Sequence, residues 1–125
     1  MRKRVFKTRT FDRWARKVLA DDELCVAASE IEQGRYEADL GSGLCKKRIA
    51  RVGQGKSGAL RTLVAKRHVG ALFFIAGREK SDPGTDFTAR EESGARIVGE
   101  ALQRADAATL DRMKLAGALK EICDG

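Results

Sequence analysis

A run of basic side chains is the feature of this sequence with the clearest chemical potential. Between Leu40 and Arg78 there are nine lysines and arginines and no aspartate or glutamate. They are Lys46, Lys47, Arg48, Arg51, Lys56, Arg61, Lys66, Arg67 and Arg78. Solvated surfaces normally mix charges of both signs, so this acid-free segment predicts a surface that binds a polyanion. If that polyanion is a nucleic acid, binding releases counterions and is strongly salt-dependent.

The spacing of these cations indicates that several of them share one face of a sheet. Lys46 and Arg48 point to the same side of one predicted strand, and Arg61 and Arg67 to the same side of the next. If the two faces coincide, a cationic stripe crosses two strands and can neutralise several phosphates. The alternative is a basic surface that only keeps the protein soluble. We favour the functional interpretation because like charges opposite each other destabilise a sheet.

A glycine-rich loop, Gly53-Gln54-Gly55-Lys56-Ser57-Gly58, matches the GxGxxG pattern and, counted from Ala50, a relaxed phosphate loop. Both patterns require a buried apolar strand before the loop and a helix after it. Here the preceding segment is strongly charged and residues 60–64 have the pattern of a strand. We therefore expect no nucleotide cofactor. The loop either brings backbone amides and Lys56 to a phosphate or simply connects a hairpin.

The residues most often found in metal or catalytic centres are few. His68 precedes a predicted turn and is expected to be exposed to solvent rather than to act as a base. Cys25, Cys45 and Cys123 are odd in number, far apart and without CxxC or histidine-paired spacing. This pattern predicts reduced thiols in a cytoplasmic protein, with neither a disulfide framework nor a metal site.

The charge of the whole chain also indicates a polyanionic or acidic partner. There are 25 Lys and Arg against 18 Asp and Glu, a net charge of +7, and residues 1–67 hold 17 basic and 8 acidic side chains. The 125 residues, 42% of them apolar, fit a single domain over 1–125. The longest apolar run, Val69 to Gly77, is too short to cross a bilayer, so no membrane partner is expected.

Hydrophobic periodicity predicts the order β-α-α-β-β-β-α. A short strand over Arg4–Lys7 precedes a first helix with Thr10 as its N-cap. A second helix has Asp21 or Asp22 as its N-cap and a left-handed stop at Gly34, and the two form a helical hairpin.

The second half begins with three predicted strands, over residues 44–52, 59–67 and 72–76. Thr88 and Glu91 then form a capping box for a helix whose apolar positions are Ile97, Val98, Ala101 and Leu102. Asp106 or Thr109 starts a last helix, and residues 117–122 are ambiguous. The fold class is therefore α+β: the N-terminal strand and helical hairpin pack on an antiparallel three- to four-stranded sheet, with C-terminal helices. One face of that sheet stays open and carries the cations.

Together with the order of elements, four short motifs carry a family resemblance. They are Gly43-Leu44-Cys45-Lys46-Lys47-Arg48-Ile49-Ala50, Gly55-Lys56-Ser57-Gly58, Arg61, and Phe73-Phe74 leading to Glu79-Lys80. They resemble the HigB-like branch of the RelE/ParE toxin superfamily over nearly the whole chain. The resemblance implies a RelE-like fold and the toxin of a type II toxin–antitoxin system. Such toxins are metal-independent endoribonucleases that cleave mRNA, usually in the ribosomal A site.

The resemblance also implies roles for individual residues. Arg61 would stabilise the scissile phosphate while the ribose 2′-hydroxyl attacks it, Lys80 would protonate the leaving group or clamp the phosphate, and Arg48 would complete the catalytic set. The implied RNA-binding residues are Lys46, Lys47, Lys56, Arg67 and Arg78. Related sequences commonly read Lys-Asn-Glu where this one has Lys80-Ser81-Asp82, which leaves the rate of cleavage open. No general base is assigned.

The implied partners are mRNA, the ribosome and an acidic helix-turn-helix antitoxin that covers the cationic face. Two other functions stay open. The protein could be a non-catalytic growth inhibitor that binds a host protein, as DNA-gyrase-directed relatives of the superfamily do, or a plain RNA-binding module. The first would arrest growth with transcripts uncut, and the second would bind RNA without toxicity.

Overall fold

The computed structural model describes residues 2–51, 55–79 and 86–123, with Arg51 and residues 55–58 described by their backbone alone. The elements in chain order are β1 (Arg4–Thr8), α1 (Arg9–Ala15), α2 (Asp21–Glu32), β2 (Ala38–Gly41), β3 (Leu44–Arg51), β4 (Gly55–Ala65), β5 (Ala71–Arg78), α3 (Ala89–Gln103), α4 (Ala107–Leu115) and β6 (Leu119–Ile122). The predicted α+β class is confirmed.

The strands of the described residues form one six-stranded sheet in the order β2-β3-β4-β5-β1-β6. All neighbours are antiparallel except β1 and β5, which are parallel. The sheet is thus wider than the expected three to four strands and is not purely antiparallel. The predicted meander is β3-β4-β5, and the two missed strands, β2 and β6, are only four residues long and lie at the edges.

Helices cover both faces of the sheet. One core cluster joins α1 and α2 to the sheet, and a second joins α3 and α4 to its other side. Neighbours along a strand alternate between the clusters, as in the pairs Val5 and Phe6, Leu63 and Val64, and Phe73 and Phe74. The expectation of a fully open face is therefore wrong, because the C-terminal helices pack on the face that was expected to be free.

Helix ends follow the sequence signals with two corrections, at the N-caps of α1 and α2. The N-cap of α2 is Ala20 and not Asp21 or Asp22, because Asp21 is already the first helical residue. Thr88 and Glu91 form the predicted capping box of α3, Asp106 caps α4 through the Thr109 N–H, and Gly34 after α2 has a left-handed φ of 83°. The N-cap of α1 is Thr8 instead of Thr10, since its hydroxyl accepts from the Phe11 N–H at 3.2 Å. The last strand residue therefore also starts the helix.

Helix α3 is rotated relative to the expected phase. Ile97 and Val98, predicted to be buried, are 71% and 41% exposed, whereas Ala95 and Gly99 face the sheet with Leu102. Small residues allow the helix axis to approach the strands closely: a Cβ on Gly99 would lie 3.3 Å from the Ala65 Cβ. Close approach thus outweighs burial of the two larger side chains.

A second close approach fixes the end of β5. The indole of Trp14 lies over Gly77, and any Cβ at this position would collide with the ring. Trp14 itself packs against Phe11 with the two rings tilted by 60°, and Phe11 is buried with Phe74 in the cluster of α1. The backbone next to Arg78 is therefore held by aromatic packing.

A disulfide joins α2 to the residue that follows the C-terminal strand β6. Cys25 and Cys123 are bonded, with their Cα atoms 5.5 Å apart, so the expectation of reduced thiols is wrong for this pair. The sequence could not indicate it because the 98-residue separation closes only when β6 pairs with β1 beside α2. Cys45 is free, and burial raises the pKa of its thiol to about 12. No helix of the described residues is long and apolar enough to cross a membrane.

We expect the Cys25→Ser/Cys123→Ser double variant to melt at a lower temperature than the oxidised protein. A bond that closes a loop of this length removes unfolded-state entropy worth at most about 4.7 kcal/mol. Melting curves with and without dithiothreitol measure the effect. The double variant is the control because reductant should leave its melting temperature unchanged. Equal melting temperatures for oxidised and reduced wild-type protein would contradict this role of the bond.

Candidate phosphate-binding site

Three arginines from adjacent strands stand side by side on the sheet. Arg48 of β3 is the Cα partner of Arg61 of β4, and Arg61 is in turn the partner of Arg78 of β5. Direct partners point to the same face. Leu44 lies four residues before Arg48 on β3, and Leu63 lies two residues after Arg61 on β4, so each leucine shares a face with its arginine. Both leucines belong to the α3 cluster, and the arginines therefore lie on the face that α3 packs against. We call these three residues the arginine row.

A β-bulge places Arg78 in the row. The register between β4 and β5 shifts by one residue after Leu63, so Leu63 opposes Ala76 while Val64 opposes Phe74. Ile75 and Ala76 consequently both contact the α3 cluster. A one-residue shift exchanges the faces of every following side chain. Without the bulge, Arg78 would lie on the opposite face from Arg61.

The row runs from solvent into the protein. Arg48 is exposed, Arg61 is half-buried and Arg78 is buried, with 8% of its surface exposed. Neighbouring strands lie about 4.8 Å apart, so the repulsion between directly opposed guanidinium groups destabilises the sheet. An arrangement of this kind is stable when anions lie beside it.

Two carboxylates of the chain supply part of that negative charge. Arg78 Nη1 donates to Glu91 Oε1 of α3 at 3.2 Å, while the Arg78 Nε is buried without a partner in the described residues. On β3, two residues before Arg48 and on the same face, Lys46 Nζ donates to Asp86 Oδ2 at 2.5 Å. Among the described residues, Arg48 and Arg61 form no ion pair.

Asp86 occupies a small anion site of its own. Its other oxygen, Oδ1, accepts from the Phe87 N–H at 2.7 Å, and Phe87 is buried against the sheet. Burial acts to raise the pKa of Asp86, but the hydrogen bonds from Lys46 and Phe87 and the charges of Lys46 and Arg61 outweigh it and hold this pKa below its usual range. An ammonium, a backbone amide and a nearby guanidinium thus surround a carboxylate, as they could surround a phosphate oxygen.

Other sequence-predicted site residues lie elsewhere. Lys47 is buried on the opposite face, where its Nζ lies 3.0 Å from Glu30 Oε1 and donates to the Arg35 carbonyl. Arg67 lies beyond the end of β4, and its N–H donates to Gln103. Lys47 is thus paired within the protein, whereas Arg67 is exposed and stays a prediction as an RNA contact. The side chain of Lys56 and all of Lys80-Ser81-Asp82 lie outside the described residues.

His68 has a structural part. Its Nε2 lies 2.7 Å from the Ala105 carbonyl and its Nδ1 accepts from the Gly70 N–H at 2.9 Å, so both ring nitrogens are engaged. The side chain is half-buried, and the expected solvent exposure is wrong. Because it links the β4–β5 turn to the end of α3, His68 is not available as a base.

Sequence reasoning missed the two carboxylates of the site. Glu91 had a usable signal, since its capping box with Thr88 places it in the first turn of a helix. Nothing local marks Asp86, which meets Lys46 only through the tertiary fold. Among the described residues no cluster of His, Cys, Asp or Glu is arranged to hold a metal ion. The segment between β3 and β4 is followed by a strand, not by the helix that a phosphate loop requires.

The fold and the row define an α+β protein with a cationic sheet site suited to a phosphate backbone. The family model described as the RelE toxin of the RelE / RelB toxin–antitoxin system matches residues 3–122, and the chain belongs to this family. The expected superfamily is thereby confirmed, whereas the HigB-like branch stays a prediction. No curated protein matches the chain significantly.

We expect Asp86→Asn to bind RNA more tightly than the wild-type protein. The variant removes a negative charge beside Lys46 and Arg61, and a unit charge at 4 Å is worth about 1 kcal/mol in water, or roughly fivefold in affinity. Fluorescence anisotropy with a 2′-O-methyl oligonucleotide, which cannot be cleaved, measures this change.

Asp39→Asn is the matched control for this measurement. Asp39 also accepts from a lysine and a backbone N–H, those of Lys66 and Gly41, but it lies on the edge strand β2. We expect a smaller effect there. Equal gains in both variants would indicate net charge alone and contradict a site at Asp86.

Proposed function

We propose that the protein is the toxin of a type II toxin–antitoxin system and acts as a metal-independent endoribonuclease on mRNA, in association with the ribosome in the cytoplasm. The observation that carries this proposal is the arginine row on one sheet face, in a chain that belongs to the RelE toxin family. A row of guanidinium groups binds phosphate oxygens bidentately and cannot lose its charge at physiological pH.

The proposed reaction is an attack of the ribose 2′-oxygen on the adjacent phosphorus. The P–O bond to the 5′-oxygen breaks, which leaves a 2′,3′-cyclic phosphate and a 5′-hydroxyl. The phosphorane-like transition state carries more negative charge than the substrate. Fixed cations therefore stabilise it preferentially, without any rearrangement at the moment of reaction. Only RNA has the attacking hydroxyl, which sets the substrate class.

The row suggests a division of roles. Arg61 is at its centre, is half-buried and forms no ion pair in the described part of the chain, so we assign it to the scissile phosphate. Arg48, exposed at the outer end, would hold a non-bridging oxygen or the next phosphate. Lys46 would bind the RNA once an RNA phosphate displaces Asp86 from it. Arg78, buried and paired with Glu91, would supply a fixed positive charge beside Arg61. Lys80 as leaving-group acid and Lys56 as a phosphate contact stay proposals from the family resemblance.

Partners follow from the same charges. An acidic antitoxin with a helix-turn-helix would silence the toxin by covering the exposed cations, because complementary charge sets both association rate and register. The proposed chemistry uses side chains alone and needs neither nucleotide nor metal. Because the thiol pool of the cytoplasm acts to reduce disulfides, the proposed location leads us to expect activity with the Cys25–Cys123 bond open as well as closed.

We expect Arg61→Ala to lower the rate of mRNA cleavage by about 10²–10³-fold, the usual loss when one transition-state charge partner is removed. Growth arrest on induction should disappear with it. The measurement is cleavage of a reporter mRNA in a translation extract, with 5′ ends mapped by primer extension. Arg13→Ala, which removes an exposed arginine from α1 on the opposite side of the sheet, is the matched control.

Three results would count against the proposal. A folded Arg61→Ala variant that cuts mRNA at the wild-type rate would remove the arginine row from the mechanism. Growth arrest with intact transcripts would favour an inhibitor that binds a host protein such as DNA gyrase. RNA binding without cleavage or toxicity would identify a plain RNA-binding module.

A further inference from the structure

An apolar groove runs along α3 from Arg90 to Val98, next to the arginine row. Its volume is about 410 Å³, and its walls are Ile75 and Ala76 of β5 and Gly94, Ala95 and Val98 of α3. The groove exists because α3 turns small residues toward the strands at this point. Ligand pockets of this size are typically apolar with a few polar groups at the rim.

The groove and the row are continuous. Glu91 lines the groove and accepts from the Arg78 guanidinium, so one side chain borders both. Ala76 lies two residues before Arg78 on the same strand and face, a distance of about 7 Å along a strand. A nucleotide whose phosphate contacts Arg61 therefore has the groove, which begins beside the Arg78–Glu91 pair, within reach of its base.

The polar groups at the rim fit the edge of a base. Besides its apolar walls, the groove is lined by Arg90, Glu91, Thr8 and Thr10. A guanidinium can pair with the acceptor edge of a base and a carboxylate with an exocyclic amine. The walls offer no charge, which suits the flat face of a base and not a sugar–phosphate chain.

We propose that this groove holds a nucleobase of the RNA strand whose phosphate lies on the arginine row. The inference rests on the proposed function, since it takes RNA to be the ligand of the row. A base splayed out of the strand is the usual target of RNA recognition. Its burial in the groove would fix which phosphate is presented to Arg61 and would give the site its base preference.

Gly94→Leu tests the proposal because it fills the groove from within. A Cβ at Gly94 meets no atom within 4 Å, so leucine can be accommodated, and it favours the helix over glycine. Ser93→Leu adds the same side chain to the neighbouring exposed position, which does not line the groove. A second pair, Val98→Gln with Ile97→Gln as control, makes the groove polar instead of filling it.

The measurement is the affinity for a short 2′-O-methyl oligonucleotide, compared with a series in which each position in turn is abasic. In the wild-type protein and Ser93→Leu, one abasic position should weaken binding roughly tenfold, the usual value of a filled apolar pocket. Gly94→Leu should already show that loss with the intact strand and lose nothing further at the abasic position. Val98→Gln should behave like Gly94→Leu, and Ile97→Gln like the wild type.

Other outcomes overturn the inference. Equal affinities of Gly94→Leu and Ser93→Leu for the intact strand would show that no base enters the groove. An equal loss of affinity of Gly94→Leu for the intact strand and for every abasic strand would also contradict the proposal, because it would indicate an indirect distortion of the protein. Loss of antitoxin binding with unchanged RNA affinity would make the groove a protein-binding surface. The test uses binding alone, so a wild-type protein that binds but does not cut RNA would refute the ribonuclease and leave this test intact.

Discussion

Three like charges held opposite one another on adjacent strands are the constraint on which the rest of the structure depends. Arg48, Arg61 and Arg78 repel, and nothing in the strands themselves favours their register. The register is imposed by apolar packing on both faces, where Leu60 and Val64 anchor β4 under α1 and α2 while Leu63 and Ala65 anchor it under α3. Core packing thus holds three cations opposite one another, where an anionic ligand would relieve their repulsion.

The compensation for this repulsion is graded along the row. At the buried end, Glu91 pairs with Arg78, since an unpaired guanidinium there would be strongly destabilising. Next to the centre of the row, Asp86 forms an ion pair with Lys46. At the other end, Arg48 is exposed to solvent. The chain's own carboxylates therefore neutralise the cations that water cannot reach. In the described part of the chain, Arg48 and Arg61 are the two members of the row that no carboxylate pairs with.

The sequence alone predicts part of the cationic face and one helix start. The acid-free segment and strand alternation predicted that Lys46, Arg48 and Arg61 share a face, and the capping box of α3 was clear from Thr88 and Glu91. The face on which Arg78 lies could not be predicted, because a bulge at Ile75 determines it and bulges leave no reliable local signal. Lys47 illustrates the converse. It looks like its neighbours in sequence, yet alternation sends it to the buried face, where it pairs with Glu30.

The remaining misses share a long-range cause. The Cys25–Cys123 bond depends on the pairing of β6 with β1, and the contact between Asp86 and Lys46 joins residues 40 positions apart. The helical phase of α3 followed close backbone approach at Gly99 and not the apolar content of Ile97 and Val98. Each is decided by which elements meet, which local periodicity does not encode.

The proposed binding of RNA phosphate to the arginine row can be followed residue by residue in an NMR titration. Protein labelled with ¹⁵N is titrated with an uncleavable oligonucleotide while the arginine Nε–Hε signals and the backbone amides are followed. We expect the largest chemical-shift changes at Arg48 and Arg61 and at the strand amides around them. These changes should become smaller as salt is added, because salt weakens the binding of RNA. Shifts confined to the face of α1 and α2, around Lys47 and Glu30, would contradict the proposed binding to the arginine row.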